Sequence, residues 1–342
     1  MKSCLNSAWI AATAAVALAG ATATLAQQVS PLELKQTITL PGYTGDFDHF
    51  AVDHARGRIL LAAEDHATLE IFDLKTGMHL RTVAGFGAPH SILLRPGSPT
   101  IVVTDSEKMT HILDADTYAE KGAIDLTPGA DSAGYDAAAN IYYVITGGKD
   151  VDMKSAFLEA VNPDTGQKLG KIEFADNHVE AMALEKGGSR IFINLAQTNK
   201  IAVVDRKSMK VLATWPVPPA RQNAMVAFDE PNHRLYVVCR DPGMVVVMNS
   251  DTGEVTNTQP APLRADDVMF DAASHRLYVP GGEGYTGVYD TSTPDHLQQV
   301  AKVKTAPGAK TGLLLPGSGE LLLAASPGDT KNTAAVLTFA IH

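Results

Sequence analysis

The sequence is short of cysteine, of charge runs and of long apolar stretches, and each shortage excludes something. Of 342 residues two are cysteine, Cys4 and Cys239. Cys4 precedes an apolar N-terminal stretch, so a chain trimmed after that stretch keeps one thiol and no internal disulfide. Cys239 ends the run Leu235-Tyr236-Val237-Val238-Cys239, where a small buried residue is expected rather than a nucleophile. No basic run occurs, and Lys+Arg 28 against Asp+Glu 38 leaves a formal net charge of −10. This argues against nucleic acid or anionic membrane as a main partner. No apolar segment beyond the N-terminus is long enough to span a bilayer. H-x-H, H-E-x-x-H and G-x-S-x-G patterns are missing, and Gly147-Gly148-Lys149 lacks Walker spacing. Any metal or catalytic site must therefore be assembled from distant segments.

The N-terminus has its own grammar. Lys2 supplies a positive charge, residues 9–25 are apolar and uncharged, and Thr24-Leu25-Ala26 places small residues where a signal peptidase reads. Residues 1–26 are expected to be a cleaved signal peptide, giving a periplasmic or secreted protein that starts near Gln27.

What the chain does have is repetition. Seven units of roughly 41 to 47 residues, the length of a propeller blade, begin at His49, His90, Asp131, His178, Asn223, Asp266 and Lys310. Each opens with an apolar strand such as Val226-Ala227-Phe228 and a polar turn such as Asp53-His54-Ala55-Arg56-Gly57. Gly and Asn supply the positive φ such turns need. A second strand reads Arg58-Ile59-Leu60-Leu61 or Leu277-Tyr278-Val279. A third ends in Asp or Asn, as in Ile71-Phe72-Asp73 and Val247-Met248-Asn249, and Thr76-Gly77 or Thr252-Gly253 closes the next turn. Four short strands per unit without a helical period predict an all-β fold, a seven-bladed β-propeller forming one domain over 27–342. The segment Leu32 to Ile38 belongs to no unit. It is expected to join the last blade as its outer strand and close the ring.

The cores Tyr143-Val144-Ile145-Thr146, Ile101-Val102-Val103-Thr104-Asp105 and Tyr236-Val237-Val238-Cys239, each with its V-x-D or V-x-N and T-G turns, resemble the YVTN-repeat, YncE-like family of secreted β-propellers. The resemblance implies fold and export. It carries no shared catalytic motif.

Strand order then gives geometry. The unit starts, and loops such as Glu64-Asp65-His66, Asp105-Ser106-Glu107, Lys149-Asp150 and Arg240-Asp241, should converge on one mouth of the channel, with Arg58, His233 and His275 on the opposite face. Three of the seven starts are His, where the composition predicts about 0.2. His49, His90, Asp131, Arg221, Asn223, Arg264, Asp266 and Lys310 are the expected ligand-binding residues. Asp48 precedes His49, Asp267 follows Asp266, and His178 and Glu180 share one side of a strand. His49, His90 and His178 are candidate ligands for a divalent metal. Glu180 or Asp131 could orient an imidazole acting as general base, making His178, Glu180 and Asp131 the catalytic candidates. Two functions follow. One is a monomeric binding protein for a small molecule or periplasmic protein partner. The other is a metal-dependent hydrolase or lyase, lactonase-like, acting on a small anionic substrate. The long loop from Gly147 to Phe157 would be a lid over the mouth or a partner contact.

Overall fold

The computed structural model describes Met1 and residues 30–315, 317–328 and 333–342. The expected signal segment and Pro316 of the last hairpin lie outside the described residues. The rest forms seven four-stranded antiparallel sheets, each built from strands consecutive in sequence save the last. Six blades occupy 50–84, 89–124, 133–174, 179–216, 221–260 and 269–304. The seventh takes Ala309–Leu315, Glu320–Ala325 and Ala334–Ile341, with Leu32–Leu40 as its outermost strand. The ring is a β-propeller closed by the two ends of the chain, as the repeats predict. Among the described residues no helix is long and apolar enough to cross a membrane.

The core is not central. It is divided into seven clusters, each lying between two neighbouring blades. This placement explains why the second strands read as continuous apolar runs. Both faces of each blade are covered by neighbours, so no face is left for polar residues, and Leu235 to Cys239 are all fully buried. The outermost strands meet water on one side and alternate, as in Gln298–Lys304.

The closing strand is held by backbone and side chains together. Leu32 pairs with Ile341 and Leu40 with Ala334, with one bulge between Leu34 and Gln36. Leu32 (2% exposed) packs into the cluster between blades six and seven, and Leu40 (4% exposed) into that between blades seven and one.

The recurrent Asp and Asn at the third-strand ends also have a local cause. Asp73 Oδ1 accepts the N–H of Lys75 (3.1 Å) and of Thr76 (2.8 Å), and Asn249 Oδ1 does the same for Asp251 and Thr252. These side chains fix the turn so that Gly77 and Gly253 can adopt positive φ. In two first hairpins a histidine takes the left-handed position, His233 at φ 54° and His275 at φ 53°. Both are turn residues, as is Asn140 at φ 53° in blade three.

Because every inter-blade core needs both walls, closure should control the stability of the whole ring. Deleting residues 30–40 is expected to lower the melting temperature by more than 10 °C, on the order of several kcal/mol of lost burial and pairing. Calorimetry of the deletion variant showing an unchanged melting point would contradict this.

Candidate functional site

The mouth of the channel is a cavity of about 550 Å³ lined by seven carboxylates, four Lys or Arg side chains and three imidazoles. Eight of the residues expected there line it: His49, His90, Asp131, His178, Glu180, Arg264, Asp266 and Lys310. Local irregularity helps to aim them. The pairing of inner with second strand slips between Pro89 and Ile92, between Val179 and Met182, and between Ala309 and Thr311. The residues inside those slips include His90, Glu180 and Lys310. A bulge turns side chains off the alternating pattern, here at the rim of the channel.

Ion pairs then link the blades in sequence. His178 Nε2 lies 2.7 Å from Glu180 Oε1, which accepts from Arg240 at 2.9 Å. Arg240 also pairs with Asp266, and Asp266 with Lys310 at 2.8 Å. Lys310 reaches Asp46 at 2.9 Å. On the next strand entry Asp48 Oδ2 accepts from His90 Nδ1 at 2.5 Å, and His90 Nδ1 lies 3.5 Å from Asp131 Oδ1. The charges thus run from blade four through five, six and seven to Asp46 and, two residues on along the backbone, from Asp48 through blade two to blade three. This chain of pairs is broken between Asp131 and Glu180, where no cation stands between the two carboxylates and Glu180 raises the cost of ionising Asp131.

His49 sits inside this chain, 3.3 Å from Asp48 and 3.9 Å from Asp267. Burial would push its pKa down, but Asp48, Asp267 and Asp131 outweigh it and hold the imidazole well above its ordinary value. His90 behaves alike: burial opposes the charge, yet Asp131, Asp48 and Glu64 raise its pKa to about 10. In the opposite sense, burial works against Asp48, and His49, His90 and Lys310 keep its carboxyl well below the usual range. Glu64 has no such support. Burial, with Asp48, Asp131 and Asp65 adding to it and His90 opposing, lifts its pKa to about 7. Asp131 is raised by burial and by Asp48 and Glu180, against His90. Water in the mouth reaches 41% of its side chain, which screens this push.

His90 also lies 3.0 Å from Ser106 Oγ through Nε2, completing an Asp48–His90–Ser106 series. With its pKa near 10 the imidazole is protonated at neutral pH and donates to both partners. It therefore orients Ser106 and does not activate it as a nucleophile.

Two residues among those lining the mouth carry unpaired charge. Among the described residues Glu64 has no side-chain hydrogen bond or ion pair, although its carboxyl lies within 4.8 Å of ligand atoms of Asp48 and His90. Arg264, exposed on the rim, likewise has no side-chain partner.

The structure arranges several of these residues differently from the sequence reading. Each of the three histidines has a carboxylate partner, Asp48 serving both His49 and His90, and among the described residues the group whose ligand atoms converge is Asp48, Glu64 and His90. Asn223 is not in the mouth: it is fully buried, with Nδ2 donating to Asn194 Oδ1 (2.7 Å) and to the carbonyl of Lys200. Arg221 is 66% exposed, pairs with Asp241 at 2.8 Å, and lines a separate depression beside His178. Arg240, near the end of a second strand, and Glu64, just after one, line the cavity instead; both belong to segments that strand order aims at the mouth. The loop after Gly147 is shorter than expected, with one helical turn at Lys149–Val151 and the next strand starting at Ala156. It forms part of the cavity wall, tied to blade four by Lys149 N–H to the Asn177 carbonyl at 2.8 Å.

Fold and mouth together define a seven-bladed propeller with an ionisable channel entrance. No family model matches the chain. Two curated relatives, both named "Uncharacterized protein YncE", come from Salmonella typhimurium and Salmonella typhi. Each is 23% identical over 218 residues, or 62% of this chain. The match spans 60% of the length of either relative. A solved chain in the "Crystal Structure of Mitotic Checkpoint Complex" superposes with a TM-score of 0.75 at 12% identity, covering 99% of this chain and 100% of that one. This last likeness concerns the fold alone. The chain is thus a seven-bladed propeller with weak similarity to the two proteins named YncE.

These shifts have a spectroscopic consequence. Carboxyl and imidazole NMR should show Glu64 titrating near pH 7 and His90 staying protonated to about pH 10. Asp48→Asn should bring His90 down, since a compensating charge is removed. The folded-state pKa values of both groups are raised, so the stability they contribute is present at low pH and lost as pH rises. For His90 the loss spans about 6.5 to about 10. A His90 titration near 6.5 in the native protein would refute this picture.

Proposed function

We propose that the protein binds a small cationic ligand in the channel mouth, received by Glu64 and Asp131, and that it does so as an exported protein. The observation that carries this reading is the break in the chain of ion pairs. Nearly every other carboxylate of the inner mouth has a cationic partner at hydrogen-bond distance, whereas Glu64 has none and Asp131 has one at 3.5 Å. A cation placed between them would give Glu64 a partner and bridge Asp131 towards Glu180. The raised His90 supports this sign, because a buried imidazole stays charged only in a negative local potential. A cavity of about 550 Å³ suits a small molecule, and Arg264 offers a place for an anionic substituent. We take the chain to be a distant member of the YVTN-repeat, YncE-like propellers, supported by its repeats and fold.

Titration calorimetry with guanidinium and methylammonium at pH 8 tests the reading. Binding is expected to weaken about tenfold or more in Glu64→Gln, in keeping with about 1.5–3 kcal/mol for a hydrogen bond to a charged group. Arg221→Ala, outside the cavity, should leave it unchanged. Equal binding by the wild type and Glu64→Gln, or none by the wild type, would overturn it.

A metal-dependent hydrolase or lyase remains a second reading, favoured by one observation. Asp48, Glu64 and His90 present ligand atoms within 4.8 Å of one another, and one imidazole with two carboxylates suits a divalent ion acting as a Lewis acid. Metal analysis of the purified protein decides it. Near-stoichiometric metal, lost in Asp48→Ala/His90→Ala, would make this the leading reading. No metal after reconstitution would remove it.

A further inference from the structure

Below the mouth the channel changes character. A second cavity of about 410 Å³ follows along the same inner strands and shares His49, Ser132 and Met225 with the first. Four of the seven inner strands make the same transition. His90 lies above Ile92, Glu180 above Met182, Asp266 above Met269 and Lys310 above Leu313. The upper member of each pair is charged and the lower is apolar. In the lower wall the acids and imidazoles reduce to Asp267 and His49, which already face each other at the boundary.

We infer that the ligand is amphipathic, with its cationic head in the mouth and an apolar tail passing the level of His49, Ser132 and Met225 into the chamber beneath. The inference rests on the binding reading above and adds the chemistry of the part of the ligand that the mouth does not hold. Two physical points carry it. Beside Ser91, Tyr135 and Tyr142 the chamber wall carries Phe50, Leu93 and Leu313, and water against those apolar side chains lacks good partners, so an apolar group gains by displacing it. Three methionines from consecutive blades, Met182, Met225 and Met269, give that wall a soft lining that adapts to the shape of a chain or ring. A small polar cation would leave this volume unused. A tail without a head would forfeit the unpaired carboxylates above.

The test is a homologous series of n-alkylammonium ions from methyl to hexyl, measured by calorimetry on the full chain. Affinity should rise up to about fourfold per methylene, the equivalent of about 0.8 kcal/mol per buried CH₂. The gain should disappear in Ala181→Phe, which fills the chamber from blade four, and in Ser91→Phe, which fills it from blade two should the first variant not fold. Circular dichroism checks each fold. Binding that depends on Glu64 but is flat along the series would overturn the amphipathic ligand and leave the cation-binding mouth standing. A gain that persists in both filled variants places the tail elsewhere and also overturns it. No binding by any member removes both readings.

Discussion

Everything in this molecule depends on face-to-face packing of blades around a closed ring. Each of the seven apolar clusters is shared by two neighbours, so no blade has a core of its own. With no disulfide among the described residues, the fold relies on this burial. Closure by Leu32–Leu40 is therefore a global constraint: it supplies the outer strand of one blade and apolar side chains to the cores on both sides of it.

The same constraint builds the mouth. A ring brings seven strand starts, distant in sequence, to one small opening, and there the charges must be reconciled with partial burial. The molecule does this by pairing across blades, with Arg240 bridging Glu180 to Asp266 and Lys310 bridging Asp266 to Asp46. Exchanging charges between neighbours adds electrostatic register to a ring already held by apolar contact. It also makes the exceptions informative. Glu64 and Asp131, left short of partners inside an otherwise paired network, are the observation on which the proposed binding site rests.

How much of this was legible varied with the range of the interaction concerned. Blade number, strand grammar and closure follow from local repetition, and Leu32 to Ile38 stood out because it belonged to no unit. The position of the mouth followed from strand order, which placed His49, His90, Asp131, His178, Glu180, Arg264, Asp266 and Lys310 along one cavity. Partner choice did not follow. The three histidines suggested a common ligand set, but each found a nearer carboxylate. Asn223 occupies a strand-start position like the others, yet it turns into the blade interface because Asn194 lies opposite. Strand order aimed the segments holding Arg240 and Glu64 at the mouth, but only the folded structure shows one paired twice and the other not at all. Bulges decide such matters, and a one-residue slip leaves no mark in the apolar pattern.

The central claim is that a cation is received in the mouth between Glu64 of blade one and Asp131 at the entry to blade three. A crystal structure of the protein grown with millimolar guanidinium tests it most directly. The account predicts planar density within hydrogen-bond distance of both carboxylates. Density confined to other carboxylates, or an empty gap with the mouth open to solvent, would contradict it.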